Sequence, residues 1–308
     1  MGNQIKTAML LAALTIFFVM IGGMLGGRQG MIIALVFATG MNFFSYWFSD
    51  KIVLKMYRAT EATQSQAPEL YGIMEEITRK ARLPMPKIFI IPQDSPNAFA
   101  TGRDPEHAVV AVTQGLLSIL NREELKGVLA HEMAHVNNRD ILIGTIAATM
   151  AGAVMMLATM FRWSAIFGGA DDEHGGIIGA LLISFLAPIG AMLIQMAISR
   201  SREFQADKTG AYFAGNAQGL AGALNKLDSY SRQRPMHANP QTAHMFIVNP
   251  LAGGGIAKLF STHPPINERI QKLTGINQSS NMHGSDQGTG NRHNNNTDKG
   301  SNFWDRMK

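Results

Sequence analysis

Apolar residues gather into four stretches that hold no Asp, Glu, Lys or Arg, at 7–27, 29–49, 141–161 and 175–199. Each reaches the roughly 20 residues that a helix needs to cross a hydrocarbon core. Arg28 is the sole break between the first two, which predicts a tight helical hairpin. The first stretch follows Lys6 and lacks a small-residue cleavage site, so it reads as an uncleaved anchor. Tyr46 and Trp47, near the end of the second, suit a membrane–water interface. Pro188 and several glycines leave 175–199 open to a second reading, as a buried core helix.

The remaining chain is patterned like a soluble domain. Leu70, Ile73, Met74 and Ile77 recur at helical spacing within 67–82. Lys87 to Pro92, Asn97 to Gly102 and His107 to Thr113 read as three strands, the last two joined by a turn over Gly102 to Pro105. Asn121 with Glu124 three residues on predicts a capped helix start. Leu125, Val128, Leu129 and Val136 give that helix one apolar stripe. Beyond 200 come further helical pattern, a Pro-, Asn- and His-rich loop over 231–255, and a helix opening at His263-Pro-Pro265. Residues 276–301 are rich in Asn, Ser, Gly and Gln and read as disordered.

Composition sharpens this division. Charged residues make up 16% of the 308, against about 25% in ordinary soluble proteins. The deficit lies almost wholly in the four stretches, which excludes both a purely soluble protein and an all-membrane transporter. No residue able to carry a proton or ion path falls inside a stretch. The chain has no Cys, so any metal must be held by His and carboxylate. The net charge of +5 comes without a basic run, which points to a membrane surface and to no nucleic acid. Lys51, Lys55 and Arg58 follow the second stretch, and Arg200, Arg202 and Lys208 follow the fourth. In a bacterial membrane this bias puts the 50–140 region and the C-terminal third in the cytoplasm.

The chemistry concentrates in His131-Glu132-Met133-Ala134-His135. Two His at i and i+4 share one helical face and can bind one Zn²⁺. Glu132 is rotated about 100° from His131 and can take a proton without acting as a ligand. Burying that carboxylate unpaired in the apolar stripe would be costly. A catalytic zinc wants a third protein ligand and an open position. Antiparallel third and fourth spans would bring Glu203 to the membrane face where His135 emerges. Asp207, one turn on, can fix the tautomer of His131 or His135. The alternative is that Glu203 and Asp207 pair with Arg200, Arg202 or Lys208. His263 can donate to a developing oxyanion or can merely open its helix.

These features resemble the HtpX family of bacterial membrane zinc metalloproteases, relatives of the CAAX prenyl proteases. The resemblance rests on Pro96 to Ala100, Leu125 to His135 with Asn138-Arg139-Asp140, Ser199 to Asp207, and Ser261 to Pro265, and covers roughly 1–275. It implies a mainly α fold with a small β element: an integral membrane, zincin-like metalloprotease with about four transmembrane helices. On this reading 1–50 is a transmembrane hairpin. Residues 51–140 form a cytoplasmic region with the β element and active-site helix. A second hairpin (141–200), the rest of the catalytic domain (201–275) and a disordered tail (276–308) follow. It implies one Zn²⁺ per subunit on His131, His135 and Glu203, with Glu132 as general base for a zinc-activated water. It implies a substrate-aligning edge strand at Asn97, Ala98, Phe99 and Ala100. The expected setting is the bacterial inner membrane, multi-pass, with the catalytic domain facing the cytoplasm. The expected partners are the lipid bilayer and membrane or misfolded proteins under quality control, with self-cleavage a further expectation. The rival is a metal-binding membrane sensor or scaffold without catalysis, which would not need Glu132.

Overall fold

The structure is a computed structural model that describes residues 3–167, 200–233, 242, 245–247 and 264–275. The stretch 175–199, His263, most of the 231–255 loop and the 276–308 tail lie outside the described residues.

Helix α1 (Asn3–Met56) is the predicted hairpin. Its break falls at Gly26–Gly27 rather than Arg28, because Gly27 takes φ 54°, a left-handed value that costs glycine nothing. The two arms then meet backbone to backbone. A Cβ on Gly22 would lie 2.4 Å from the carbonyl oxygen of Gly30, so only glycine fits there. Asn42 Nδ2 donates to Thr15 Oγ1 across the arms at 2.8 Å. Ile16, Met20, Ile33, Val36, Phe43 and Phe44 are exposed along both arms, more apolar surface than a water-soluble protein leaves bare. Ile5–Gly23 and Gly26–Met56 are each long and apolar enough to cross a membrane. The second arm runs seven residues past the apolar stretch, since lost hydrophobicity alone does not end a helix. Left-handed Arg58 follows its end.

The third stretch opens α5 (Ile141–Phe167), which packs against α1. Leu142, Ile143, Ile146, Met150 and Val154 form one buried cluster with Leu10, Leu14, Phe18 and Ala38. Among the described residues, two helices meet the length and hydropathy of a span; the fourth stretch lies outside them.

A small sheet follows the hairpin. Its strands are β1 (Thr60–Glu61), β2 (Lys87–Ile91), β3 (Ala98–Thr101) and β4 (Val109–Thr113), in the order β1-β2-β4-β3. The central β2–β4 pair is parallel, and β3 runs antiparallel to β4 on the outer edge. Two-residue β1 is too short to leave a periodic signal. A 3₁₀ turn at Pro105–His107, capped by Asp104, carries the chain from β3 into β4.

Helices α2 (Pro68–Ala81), α3 (Gln114–Ile119) and α4 (Arg122–Asn137) cover the sheet. α6 (Arg200–Ala214), α7 (Gln218–Gln233) and α8 (Ile266–Thr274) complete the layer. α2 buries Leu70, Ile73, Met74 and Ile77, the residues its spacing selects. α4 starts at the predicted capping box of Asn121 and Glu124. It is not the one-sided helix that its stripe suggested. Val128, Leu129, Ala130, Met133, Ala134 and Val136 are all fully buried, because α2, β3, α6 and α7 enclose it. α6 comes closest at Gly210, where a Cβ would lie 2.8 Å from the Cα of His131.

Candidate metal centre and catalytic groups

His131 and His135 sit one turn apart on α4, their ring centroids 4.8 Å apart and their planes at 89°. Glu203, in the first turn of α6, reaches between them. His131 Nε2 lies 3.8 Å from Glu203 Oε2, and His135 Nε2 lies 3.5 Å from Glu203 Oε1. One ligand atom from each residue lies within 4.8 Å of the others. A tetrahedral zinc with bonds of about 2.0–2.1 Å sets its ligand atoms about 3.3 Å apart, so the three side chains fit that ion with little adjustment.

Each imidazole turns its other nitrogen to a carboxylate. His131 Nδ1 faces Asp207 Oδ1 at 2.9 Å, and His135 Nδ1 faces Asp140 Oδ2 at 3.1 Å. Such pairs fix the tautomer and ring plane and leave Nε2 free for a metal. Asp207 was anticipated for this part; Asp140 was not, although it stands in the Asn138-Arg139-Asp140 run. Its position depends on backbone geometry. Arg139 adopts φ 56°, which folds the chain back so that the Asp140 N–H donates to His135 O at 2.9 Å.

Arg269 on α8 is the residue that sequence reading missed altogether. It is the largest fully buried side chain described. Its Nε and Nη2 donate to Asp207 Oδ2 and Oδ1 at 2.9 and 2.6 Å, a bidentate pair. Its Nη1 donates to Ile247 O at 3.0 Å. In the sequence, Glu268-Arg269 looks like the solvated face of a surface helix; only the docking of α8 buries it.

Glu132 is 3% exposed, and its Oε2 accepts from the Ala100 N–H at 2.9 Å. That bond answers the cost of burying it. Burial nonetheless pushes its pKa up to about 8, helped by the charge of Glu203 and opposed by His135, the Ala100 bond and Arg269. Burial pushes His131 down from its ordinary value. His135 rises to about 9, because its bond to Asp140 and the charges of Glu203 and Glu132 together outweigh burial. Without a metal, Glu132 and His135 are thus both held toward their protonated forms. A divalent cation among them favours ionised carboxylates and neutral imidazoles instead.

Asn97, Ala98, Phe99 and Ala100 run along the outer edge of the sheet, and all four are buried. The Asn97 carbonyl points inward to Thr113, so the alternating Ala98 and Ala100 turn theirs outward. Ala98 O accepts from the Ile247 N–H at 3.2 Å. Phe246 anchors that segment between Tyr57 and Phe99, with ring centroids 5.2 and 5.3 Å away. The edge is therefore an occupied one.

Residues 64–277 match Peptidase family M48. With the His131–His135–Glu203 cluster and two helices fit to cross a bilayer, they define a membrane metallopeptidase. This sets aside the non-catalytic sensor. The chain is 62% identical over 312 residues to the protease HtpX homolog of Desulfatibacillum aliphaticivorans, and 61% identical over 318 residues to that of Desulforapulum autotrophicum. Both matches cover the whole of each protein. The chain belongs to the HtpX proteases of family M48. Its fold is like that of Ste24p in the crystal structure from S. mikatae, with a TM-score of 0.51 at 20% identity. That likeness covers 88% of this chain and 65% of Ste24p.

Proposed function

We propose that this protein is a zinc-dependent endopeptidase of the bacterial inner membrane. It opens peptide bonds of membrane or misfolded proteins at the cytoplasmic face. The observation that carries the reading is the placement of Glu132. Its carboxylate lies beside three convergent ligands and bonds to the outward N–H of the edge strand, where an extended substrate would lie.

His131, His135 and Glu203 hold one Zn²⁺ per subunit, with Asp207 orienting His131. When bound, that ion supplies Lewis-acid chemistry, polarising water and the scissile carbonyl. The remaining steps belong to the chain. Glu132 removes a proton from the attacking water and returns it to the leaving amine. The substrate strand aligns along Asn97 to Ala100 by main-chain bonds, displacing the Ile247 N–H from Ala98. His263 donates to the oxyanion. Four spans, 7–27, 29–49, 141–161 and 175–199, carry the catalytic domain on the positive side of the membrane. A protease with so little demand on side chains also cleaves its own exposed segments.

The test is Glu132→Gln, purified with metal and assayed on casein with and without chelator. Metal content stays at one per chain, while hydrolysis falls about 10²- to 10⁴-fold. Full turnover in the variant, or wild-type cleavage that ignores chelator, would refute the reading.

A further inference from the structure

A second site lies away from the metal centre, where the hairpin meets the soluble domain. Thr7, Ala8, Leu11, Tyr46, Arg103, Asp104, Arg139 and Leu142 line a cavity of about 370 Å³. The floor is membrane helix: Ala8 and Leu11 from the first arm of α1, and Leu142 from α5. The rim is loop and carries two arginines. Thr7 and Tyr46 each stand about twenty residues from the Gly26–Gly27 turn, roughly 30 Å along a helix, which is one hydrocarbon thickness. The cavity thus sits at the level of lipid headgroups, with apolar walls below and cations above.

The charges are arranged to receive an anion. Arg103 lays its guanidinium 4.7 Å over the Trp47 ring, which pins it at the interface. Its Nε faces Asp104 Oδ2 at 3.4 Å. Asp104 is already engaged, accepting from the His107 N–H at 2.8 Å and facing His107 Nδ1 at 2.6 Å. Arg139 is exposed and forms no ion pair among the described residues. Its left-handed backbone is held by its N–H bond to Val136 O. Two arginines therefore line the cavity against one carboxylate, which Arg103 shares with His107.

We propose that this cavity binds the phosphate headgroup of an anionic phospholipid, with Arg103 and Arg139 on the phosphate and the acyl chains against Leu11 and Leu142. The inference rests on the reading that the hairpin crosses a bilayer. Trp47 reports on it directly. The full chain with Trp163→Phe and Trp304→Phe is placed in nanodiscs of phosphatidylcholine. These contain a minor fraction of either phosphatidylglycerol or phosphatidylcholine brominated on the acyl chain. Brominated phosphatidylglycerol quenches Trp47 several-fold more than brominated phosphatidylcholine at equal mole fraction. Arg103→Gln with Arg139→Gln abolishes the preference, and the two Lys replacements keep part of it. Should the Gln pair fail to fold, 0.5 M salt on the unchanged arginines must lower the preference instead. Inorganic phosphate at 10 mM leaves quenching unchanged if the ligand is lipid; loss of the preference there would assign the site to free phosphate and overturn the lipid proposal. Equal quenching by both lipids leaves the hairpin in the bilayer but rejects the site. No quenching by either rejects the spanning hairpin and the site together.

Discussion

Replacing Arg269 by Met removes one cation from a fully buried cluster of acids. The side chain spans a similar length, so packing changes little and charge changes fully. Asp207, 3% exposed, loses both bonds of its bidentate pair and keeps, among the described residues, His131 Nδ1 as partner. Ile247 O loses its donor as well. Removing one partner of a buried pair costs about 3–5 kcal/mol, because the other charge stays behind unpaired. Against a total stability of about 5–15 kcal/mol this is a large share. At about 2–4 °C per kcal/mol it lowers the melting point by roughly 10 °C. The assay is urea unfolding in mild detergent on chelator-treated protein, with Asp207→Asn and the double variant completing the cycle. The double variant loses less than the sum of the singles, by up to about 3 kcal/mol.

The pH dependence gives a second handle. Burial alone would raise Asp207, but the Arg269 charge and bonds, with His131, bring it down to about 2. A folded pKa below the ordinary 3.8 means that the stabilisation is complete above that value and is lost as pH falls toward 2. Without Arg269 the burial effect dominates and Asp207 moves up. The variant then takes up a proton as pH falls from 7, and the gap between it and the unaltered protein narrows before pH 4. A loss under 1 kcal/mol at pH 7, or a gap that widens on acidification, would mean that Asp207 is not held by Arg269.

Two further outcomes are expected. Asp140→Asn removes the carboxylate that holds His135 Nδ1, and zinc affinity falls about 10- to 100-fold in a competition titration with a chromophoric chelator; unchanged affinity would leave Asp140 no part in orienting that ring. Because the chain has no Cys, Arg28→Cys and Thr60→Cys each create a single label site. An impermeant maleimide added to whole cells reacts at 28 and not at 60, and the reverse pattern would invert the proposed topology.

Much of this protein can be read from local order. A hairpin needs only two apolar runs and glycines between them. A capped helix needs Asn121 and Glu124, and two imidazoles four residues apart share a face whatever surrounds them. All of these depend on neighbours in the chain, so periodicity and spacing suffice to place them. What surrounds α4 depends on contacts between distant segments. The stripe of Leu125, Val128, Leu129 and Val136 suggested one buried face, yet residues 127–134 are buried all round the helix. Asp140 reaches His135 through a left-handed Arg139 that no pattern of side chains announces. Arg269 lies 62 residues beyond Asp207, and the two meet only when α8 docks on α6. The bond that satisfies Glu132 comes from the backbone of Ala100, 32 residues earlier and on another element. Backbone groups carry no signature in a sequence, and burial of a charge is a property of its surroundings. The tertiary fold therefore decided which acids serve the imidazoles and what balances their charge, while the chain alone had already determined which residues could hold the metal.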